Sequence, residues 1–199
     1  MPEAAQGASF QAQSLPIRLG HTLLLDEEIL QRDHCLSIRS GLVRVAIVPL
    51  DQQGCEHRSI TLGFLQEGDH LPLDLLRSSR LHVQALTPAR LESGCSPIPP
   101  AGASTLHEWT VALLMIRHLG DAQQRLAALL TLLVRRLGRR HSHWYELPLR
   151  LTHADLAELS GLNRVTVTRQ LSKWRDQNLV EQNSGPDRLL RLAPQLVEA

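Results

Sequence analysis

The sequence lacks the patterns that mark membrane and secreted proteins. Aromatic residues make up only 3% of its 199 residues, so leucine, valine, isoleucine and alanine must fill any core. No apolar run reaches the roughly 18 to 20 residues that a membrane span needs. The first residues also lack the basic and apolar regions of a signal peptide. We therefore expect a cytoplasmic protein without a membrane partner.

Cysteine is scarce as well. Cys35, Cys55 and Cys95 are odd in number and far apart, and no two of them form a CxxC pair. This spacing argues against a disulfide framework and against cysteine-based metal or iron–sulfur sites, and free thiols are expected. His141 and His143 have no cysteine or carboxylate at ligand spacing, so no metal is expected there.

Charge is distributed unevenly along the chain. Residues 1–134 hold ten basic and thirteen acidic residues, a net charge of −3, whereas residues 135–199 hold eleven and seven, a net charge of +4. A basic C-terminal third fits a surface that binds phosphate groups, although a solvated basic face would look the same.

The first half of the chain has the pattern of a small β-domain. Residues 1–14 lack periodicity and are expected to form a mobile tail. Within residues 15–100, short runs rich in β-branched residues alternate with turns, as in residues 42–48, 58–64 and 82–86. Frequent turns between short strands predict a small antiparallel barrel or jelly roll.

The hydrophobic period changes after Pro100. Thr105 and Glu108 have capping-box spacing and predict a helix start. The next apolar residues form a coiled-coil-like seam at i, i+3, i+7 and i+10, namely Leu106, Trp109, Leu113 and Ile116. We predict a homodimer through this helix, with a core helix of the same chain as the alternative. With a second helix near residues 123–137, residues 101–138 form a dimerisation and connecting segment.

The most informative stretch is residues 151–171. Thr152 and Asp155 predict a helix start, Ala157 permits close helix crossing, and Gly161 permits the left-handed turn between two helices. Small residue, glycine and the later Val167 have the spacing of a helix-turn-helix. The second helix would expose residue types that read base edges and bind phosphates, namely Arg164, Val165, Thr168 and Arg169. Residues 178–192 predict a β-hairpin wing.

At these residues the sequence closely resembles the CRP/FNR family of bacterial transcription regulators, and residues 40–45, 61–64 and 68–69 resemble the family's sensor domain. The resemblance implies an α+β fold: an N-terminal double-stranded β-helix (jelly-roll) sensor domain, a long dimerisation helix and a C-terminal winged helix-turn-helix in residues 139–199. Residues 164–169 and 85–88 are most similar to NtcA-type nitrogen regulators.

The resemblance also implies roles for single residues. Arg164 and Arg169 match the two arginines of the family's Arg-Glu-Thr-Val-x-Arg signature, and Val165 replaces the glutamate, so a valine could touch a thymine methyl there. Gln170 stands where an aliphatic residue is common, which leaves one core contact open. The candidate phosphate contacts are Thr152, His153, Thr166 and Lys173. The expected partners are double-stranded DNA, a second copy of the chain and RNA polymerase, and no enzymatic activity is expected.

The family's cyclic-nucleotide cassette is not matched. Pro72 and Leu73 stand where a glycine and a ribose-binding glutamate would be, and neither Arg77-Ser78 nor Ser79-Arg80 is in a clean register. A leucine cannot bind a ribose hydroxyl, and proline lacks the N–H that a phosphate would use. Cyclic AMP is therefore not expected, 2-oxoglutarate stays an open alternative without support, and no cofactor is expected.

Two rival functions come from other classes. A cupin-like metalloenzyme would need an HxH pair and a following glutamate in its barrel, whereas His57, His70 and His82 stand alone. In a partner-binding module, the helix-turn-helix would bind a protein instead of DNA. Metal analysis and a DNA-shift assay separate these alternatives from a DNA-binding regulator.

Overall fold

The computed structural model describes residues 13–25, 35–48, 59–73, 80–94, 100–183, 185 and 188–198. These residues belong to two compact units. The first unit comprises the residues up to Ser59 together with Phe64–Leu106, and the second comprises Ile60–Gly63 and the chain from His107 onward. The limits predicted above, 15–100, 101–138 and 139–199, stay predictions.

The part of the chain before residue 95 contains β-strands. They are β1 (Gln13–Ile17), β2 (Thr22–Leu25), β3 (Cys35–Ser40), β4 (Leu42–Val48), β5 (Ile60–Gln66), β6 (His70–Pro72), β7 (Arg80–Ala85) and β8 (Ala89–Gly94). β1 begins inside the tail predicted for residues 1–14, of which residues 1–12 lie outside the described part. Cys55, Cys95, His57, Arg77, Ser78 and Ser79 lie outside it as well.

These strands form two four-stranded sheets, with the orders β1-β8-β3-β6 and β2-β7-β4-β5. β4 and β7 are antiparallel, with Val43 opposite Ala85 and Val45 opposite Val83. All four side chains are buried, because alternate residues of a strand point to the same face of a sheet. This strand order confirms the predicted double-stranded β-helix.

Helices follow the strands. They are α1 (Pro100–Arg117), α2 (Ala122–Leu137), α3 (His153–Ser160), α4 (Arg164–Asp176) and α5 (Pro194–Val197). None of the helices in the described ranges is long and apolar enough to cross a membrane. Antiparallel sheets and helices that follow one another in separate segments give the α+β fold that the sequence predicted.

α1 begins five residues earlier than the sequence predicted. Its first residue is Pro100, and proline suits the first turn of a helix because its missing N–H would have no partner there. The predicted capping box at Thr105 is therefore wrong. The Thr105 hydroxyl lies inside the helix and donates to Asp69 Oδ1 at 3.0 Å.

α2 matches the predicted connecting helix. The Asp121 carboxylate accepts from the Gln124 backbone N–H at 2.7 Å and caps the first turn. The buried residues of α2 recur with helical period, namely Leu126, Leu129, Leu130, Leu133, Val134 and Leu137. The basic Arg135 and Arg136 stand in the last turn, where they interact favourably with the helix dipole.

A third sheet in the second unit is larger than the predicted wing. Its strands are β9 (Arg139–His141), β10 (Trp144–Glu146), β11 (Val180–Gln182) and β12 (Leu190–Leu192), in the order β11-β12-β10-β9. The sequence predicted only the two wing strands. His141 and His143 belong to a tight β9–β10 hairpin, in which Ser142 has a φ of 55°.

Candidate nucleic-acid interface

The first helix of the helix-turn-helix, α3, has the start that the sequence predicted. The Thr152 hydroxyl oxygen accepts from the Asp155 backbone N–H at 3.1 Å, and Asp155 Oδ2 accepts from the Thr152 N–H at 2.8 Å. This reciprocal pair is a capping box, which satisfies two N–H groups that a helix start leaves without partners. Both residues are thereby fixed at the start of α3.

The turn between α3 and α4 depends on Gly161. Its φ of 68° lies in the left-handed region, which is strained for residues that have a Cβ. A Cβ at this position would also lie 3.1 Å from Cγ of Arg117. α4 then begins behind Asn163, whose Oδ1 accepts from the Thr166 N–H at 2.8 Å.

A small apolar core holds the two helices together. It contains Leu156, Leu159, Val167, Leu171 and Trp174, each no more than 3% exposed. The predicted close-crossing residue Ala157 is buried as well. These contacts define one inner face of α4 and leave the opposite face to the solvent.

That outer face carries the four residues predicted to read DNA. Arg164, Val165, Thr168 and Arg169 are all exposed, and Val165 has 77% of its surface accessible. Gln170 takes the position where related proteins commonly have an aliphatic residue. Its side-chain nitrogen is buried and has no hydrogen-bond partner among the described residues.

The predicted phosphate contacts differ in accessibility. Thr152 and Lys173 are exposed, whereas His153 and Thr166 are half-buried. Nδ1 of His153 lies 2.8 Å from the Thr168 hydroxyl oxygen, so the structure brings this pair from α3 and α4 together. Burial lowers the pKa of His153, and the nearby cations Arg175 and Arg164 lower it further. The imidazole is therefore neutral at neutral pH.

Two residues of this surface were missed by the sequence reasoning. Ser172 is exposed on α4, seven residues after Val165 and four after Thr168, so it shares their helix face. Helical periodicity alone could have found it. Asn163 is exposed at the cap of α4, and its cap-forming residue type was the available signal.

A third residue that the sequence reasoning missed is Arg117, which lies at the end of α1 and donates hydrogen bonds to the helix-turn-helix. Its Nη2 donates to the Glu158 carbonyl at 2.9 Å and to Glu158 Oε1 at 3.2 Å. Its Nε donates to the Leu159 carbonyl at 3.4 Å. A guanidinium thus occupies the C-terminal end of α3, where carbonyl groups lack helical partners and positive charge is favourable.

Glu158 is held from the other side by the residue Thr61. The Thr61 backbone N–H donates to Glu158 Oε1 at 3.0 Å, and the Thr61 hydroxyl donates to Oε2 at 2.8 Å. Residues 60–63, α1 from His107 onward and the helix-turn-helix belong to the same compact unit. The turn of the helix-turn-helix therefore sits in a network of charge-assisted hydrogen bonds.

The wing is held by a second ionic group in the third sheet. Nε of Arg191 donates to Glu146 Oε2 at 2.7 Å, and its Nη1 donates to Glu181 Oε1 at 3.3 Å. The hydrogen bond from Arg191 holds the pKa of Glu146 below its ordinary value. Because these residues come from β12, β10 and β11, the ion pairs join the β9–β10 hairpin to the wing.

The dimer residues predicted from the seam need correction. Leu106, Trp109, Leu113 and Ile116 are only 4%, 1%, 2% and 7% exposed in the single chain. A side chain at Gly63 would collide with Trp109, so the indole packs within its own unit. The apolar residues that α1 leaves exposed are instead Val111, Leu114 and Met115, at 44%, 55% and 66%.

The residues expected to replace the nucleotide cassette also lie in the interior. Pro72 is buried opposite Cys35 in the β3–β6 pair, and Leu73 is 1% exposed. Burial raises the pKa of the Cys35 thiol. Within the described ranges, no three histidine, cysteine or acidic side chains converge as metal ligands.

Comparisons with known proteins agree with this architecture. Residues 15–104 match the model of the cyanobacterial CRP family N-terminal domain, and residues 124–195 match the model of the Crp-like helix-turn-helix domain. The chain is 34% identical over 143 residues to the regulatory protein CysR of Synechococcus elongatus, a match that covers 69% of this chain and 67% of CysR.

Solved structures show the same fold at low identity. A CRP/FNR-family transcriptional regulator from Thermus thermophilus has a TM-score of 0.65 and 21% identity, covering 94% of this chain and 99% of that chain. FixK2 from Bradyrhizobium japonicum has a TM-score of 0.65 and 21% identity, covering 95% and 96%.

A jelly-roll domain, a long helix and a winged helix-turn-helix with an exposed basic reading face define a DNA-binding transcription regulator. The cyanobacterial N-terminal domain match and the CysR match confirm the resemblance noted in the sequence. The chain belongs to the CRP/FNR family, and its N-terminal domain is of the cyanobacterial type.

Proposed function

We propose that the protein is a homodimeric regulator that binds an inverted-repeat operator. Two recognition helices of a two-fold dimer would enter successive major grooves, so the half-sites should lie about one helical turn apart. The residues that read bases are Arg164, Val165, Thr168 and Arg169, and those that contact phosphates are Thr152, His153, Thr166 and Lys173.

The exposed Val165 is the observation that supports this proposal most strongly. A valine with 77% of its surface accessible on an ordered helix contributes little to the core, and its contact with water is unfavourable. It is flanked on the same face by Arg164 and Arg169, both exposed. Arginine binds guanine through two hydrogen bonds and valine packs against a thymine methyl, so the surface suits a major groove.

The dimer is proposed to form through the outer face of α1. Val111, Leu114 and Met115 follow at i, i+3 and i+4, and together they form an apolar stripe on a helix whose other face is buried. An exposed stripe of large apolar residues marks an interaction surface. A second copy fits it because a dyad-symmetric operator requires two reading helices.

The protein partner, the location and the absence of enzymatic activity rest on the family resemblance. We propose RNA polymerase as the protein partner, the cytoplasm as the location and no enzymatic activity. We also propose that cyclic AMP is not an effector. The buried Leu73 offers neither a ribose acceptor nor access to a nucleotide, and this supports the last point.

Selection of DNA from a random pool tests the proposal. The protein is incubated with random duplexes alone, with cyclic AMP and with 2-oxoglutarate, and bound DNA is sequenced. We expect a dyad-symmetric site with a guanine in each arm and no change with cyclic AMP. A selected motif without dyad symmetry would contradict the dimeric reading, and a Kd for cyclic AMP of about 10 micromolar or tighter would overturn the effector proposal.

A further inference from the structure

The hydroxyl of Thr168 sits between two groups of the protein itself. Its oxygen lies 2.9 Å from the Arg164 carbonyl oxygen and 2.8 Å from Nδ1 of His153. A hydroxyl has one hydrogen to donate, and a carbonyl oxygen can only accept. The hydrogen therefore points to the Arg164 carbonyl, since two oxygens at this distance would otherwise repel each other.

This assignment fixes the tautomer of His153. Because the Thr168 hydrogen is already used, Nδ1 of His153 must carry its own hydrogen and donate to the Thr168 oxygen. The charged groups that act on the ring are Arg164 and Arg175 of α4, and they lower the pKa of His153 together with burial. On the ring's own helix, the Asp155 carboxylate is occupied by Thr152. The neutral Nδ1–H form thus accounts for both contacts.

The Thr168 hydroxyl consequently has little capacity left to form hydrogen bonds with a base. It cannot donate to guanine O6 or N7 or to thymine O4 without giving up the Arg164 carbonyl. What it retains for a ligand is its methyl group and one acceptor lone pair. Val165, three residues earlier and on the same helix face, offers only methyl groups and is 77% exposed. The centre of the reading face, between Arg164 and Arg169, is therefore apolar in its chemistry.

Among the four bases of DNA, only thymine shows a methyl group in the major groove. We propose that Thr168 and Val165 form a methyl-reading pair that recognises the C5-methyl groups of thymines in each half-site, and that His153 is a positioning residue that holds Thr168 in this role. This inference rests on the proposed function, since it assumes that α4 enters the major groove.

Replacement of thymine by deoxyuridine tests the pair, because it removes the C5-methyl group and keeps the base pair. Each thymine of the selected operator is replaced in turn, and binding to the intact dimer is measured. A lost methyl contact should weaken binding about fourfold for each methyl removed. We expect this loss at thymines in the middle of each arm. Equal affinity for every thymine and deoxyuridine duplex would overturn the pair while leaving operator binding intact.

Two variants of Thr168 separate its methyl from its hydroxyl. Thr168→Val keeps a methyl and removes the hydroxyl. Because valine has one strongly preferred χ1 rotamer in a helix whereas threonine divides between two, the variant needs no contact with His153 and should keep both affinity and the preference for thymine over deoxyuridine. Thr168→Ser keeps the hydroxyl and should lose the part of the preference that Thr168 supplies. The position is exposed, so neither variant should prevent folding. The opposite pattern, with binding lost in Thr168→Val and the preference kept in Thr168→Ser, would show that the hydroxyl reads the base.

The role of His153 is tested in two backgrounds. If the imidazole acts through the Thr168 hydroxyl, His153→Ala should reduce the thymine preference in the wild-type protein and have no effect on that preference in Thr168→Val. If His153 only contacts a phosphate, His153→Ala will weaken all duplexes equally in both backgrounds, and the positioning role is wrong. Absence of any sequence-selective binding by the wild-type protein would instead reject the proposed function itself.

Discussion

The guanidinium of Arg117 donates to the main-chain carbonyl of Glu158 at 2.9 Å and to the carboxylate of the same residue at 3.2 Å. One side chain thus caps the C-terminus of the first helix of the helix-turn-helix and also forms an ion pair with the carboxylate of Glu158. About a third of the Arg117 side chain is accessible, so water screens part of the interaction. The link ties the helix-turn-helix to the end of α1.

Arg117→Met should destabilise the second unit by about 1 to 2 kcal/mol, because hydrogen bonds to the helix end are lost and the apolar stem is kept. Arg135→Met is the matched control, because Arg135 is exposed on α2 and surface substitutions of this kind usually change stability by no more than about 0.5 kcal/mol. Urea unfolding measures both variants, and a larger loss in the control would contradict the role of Arg117.

Gly161→Ala should cost about 1 to 2 kcal/mol, because alanine is strained in the left-handed region. The new Cβ would also press on the Arg117 stem. Gly120→Ala serves as the control, since a Cβ there meets nothing within 4 Å and the residue has no positive φ. We expect a neutral or slightly stabilising effect at Gly120. Similar unfolding midpoints for the two variants would show that the turn does not need glycine.

Met115→Glu should shift the protein from dimer to monomer, because the charge would be buried at the proposed α1 interface. Gln123→Glu adds the same charge at an exposed position of α2 and should leave the dimer intact. Sedimentation at micromolar concentration distinguishes the two states. A wild-type monomer at that concentration would make the homodimer assignment wrong.

Arg169→Ala should cost roughly 1 to 3 kcal/mol per half-site and relax discrimination at the guanine, because a two-hydrogen-bond contact is lost. Lys173→Ala, if it removes only a phosphate contact, should weaken all sequences alike and flatten the dependence of affinity on salt. Binding to operator and scrambled duplexes at several salt concentrations measures both effects. Unchanged specificity in Arg169→Ala would show that another element reads the DNA.

The lowered pKa of His153 predicts how stability depends on pH. The unfolded chain titrates near the ordinary value of about 6.5, and the folded imidazole titrates below it. Between the two values the unfolded state binds more protons, so this stabilisation is full above about pH 6.5 and is lost as the pH falls through the folded pKa. Urea midpoints should therefore fall less steeply with acid in His153→Gln than in the wild type.

The control for that measurement is His143→Gln, which removes a histidine from the exposed β9–β10 turn. Its curve accounts for the loss of a histidine as such. If the His153→Gln curve runs parallel to the wild-type curve between about pH 7 and 5, the burial of His153 does not contribute to the pH dependence.

Local signals carried most of the correct predictions. The helix-turn-helix was predictable because its determinants, the capping pair Thr152 and Asp155, Gly161 and Val167, act within a few residues of one another. The exposure of one face of α4 followed from helical period. That this face reads DNA stays a prediction. Strand order in the jelly roll came instead from the family resemblance, because pairings such as Val43 with Ala85 join residues far apart in the chain.

The errors arose where a distant partner decides the outcome. The Leu106–Ile116 seam is apolar whether it packs within the chain or against a second copy, and only its burial shows that it packs within the chain. Thr105 has cap-forming spacing, yet its hydroxyl binds Asp69. The contact of Arg117 with Glu158 could not be read from the sequence, since nothing near either residue signals the other.

The third sheet brings together the two ends of the chain segment that contains the helix-turn-helix. β10 precedes α3, and β11 and β12 follow α4, so this segment starts and ends on the same sheet. The Leu147 N–H donates to the Leu190 carbonyl at 3.0 Å, and the Ala193 N–H donates to the Leu179 carbonyl at 2.9 Å. A peptide limited to the two helices would lack these contacts. The packing of its helices alone would then have to offset the conformational entropy that the chain loses on folding. We therefore expect the helix-turn-helix to keep its fold in another protein only when the whole of residues 139–198 is transferred.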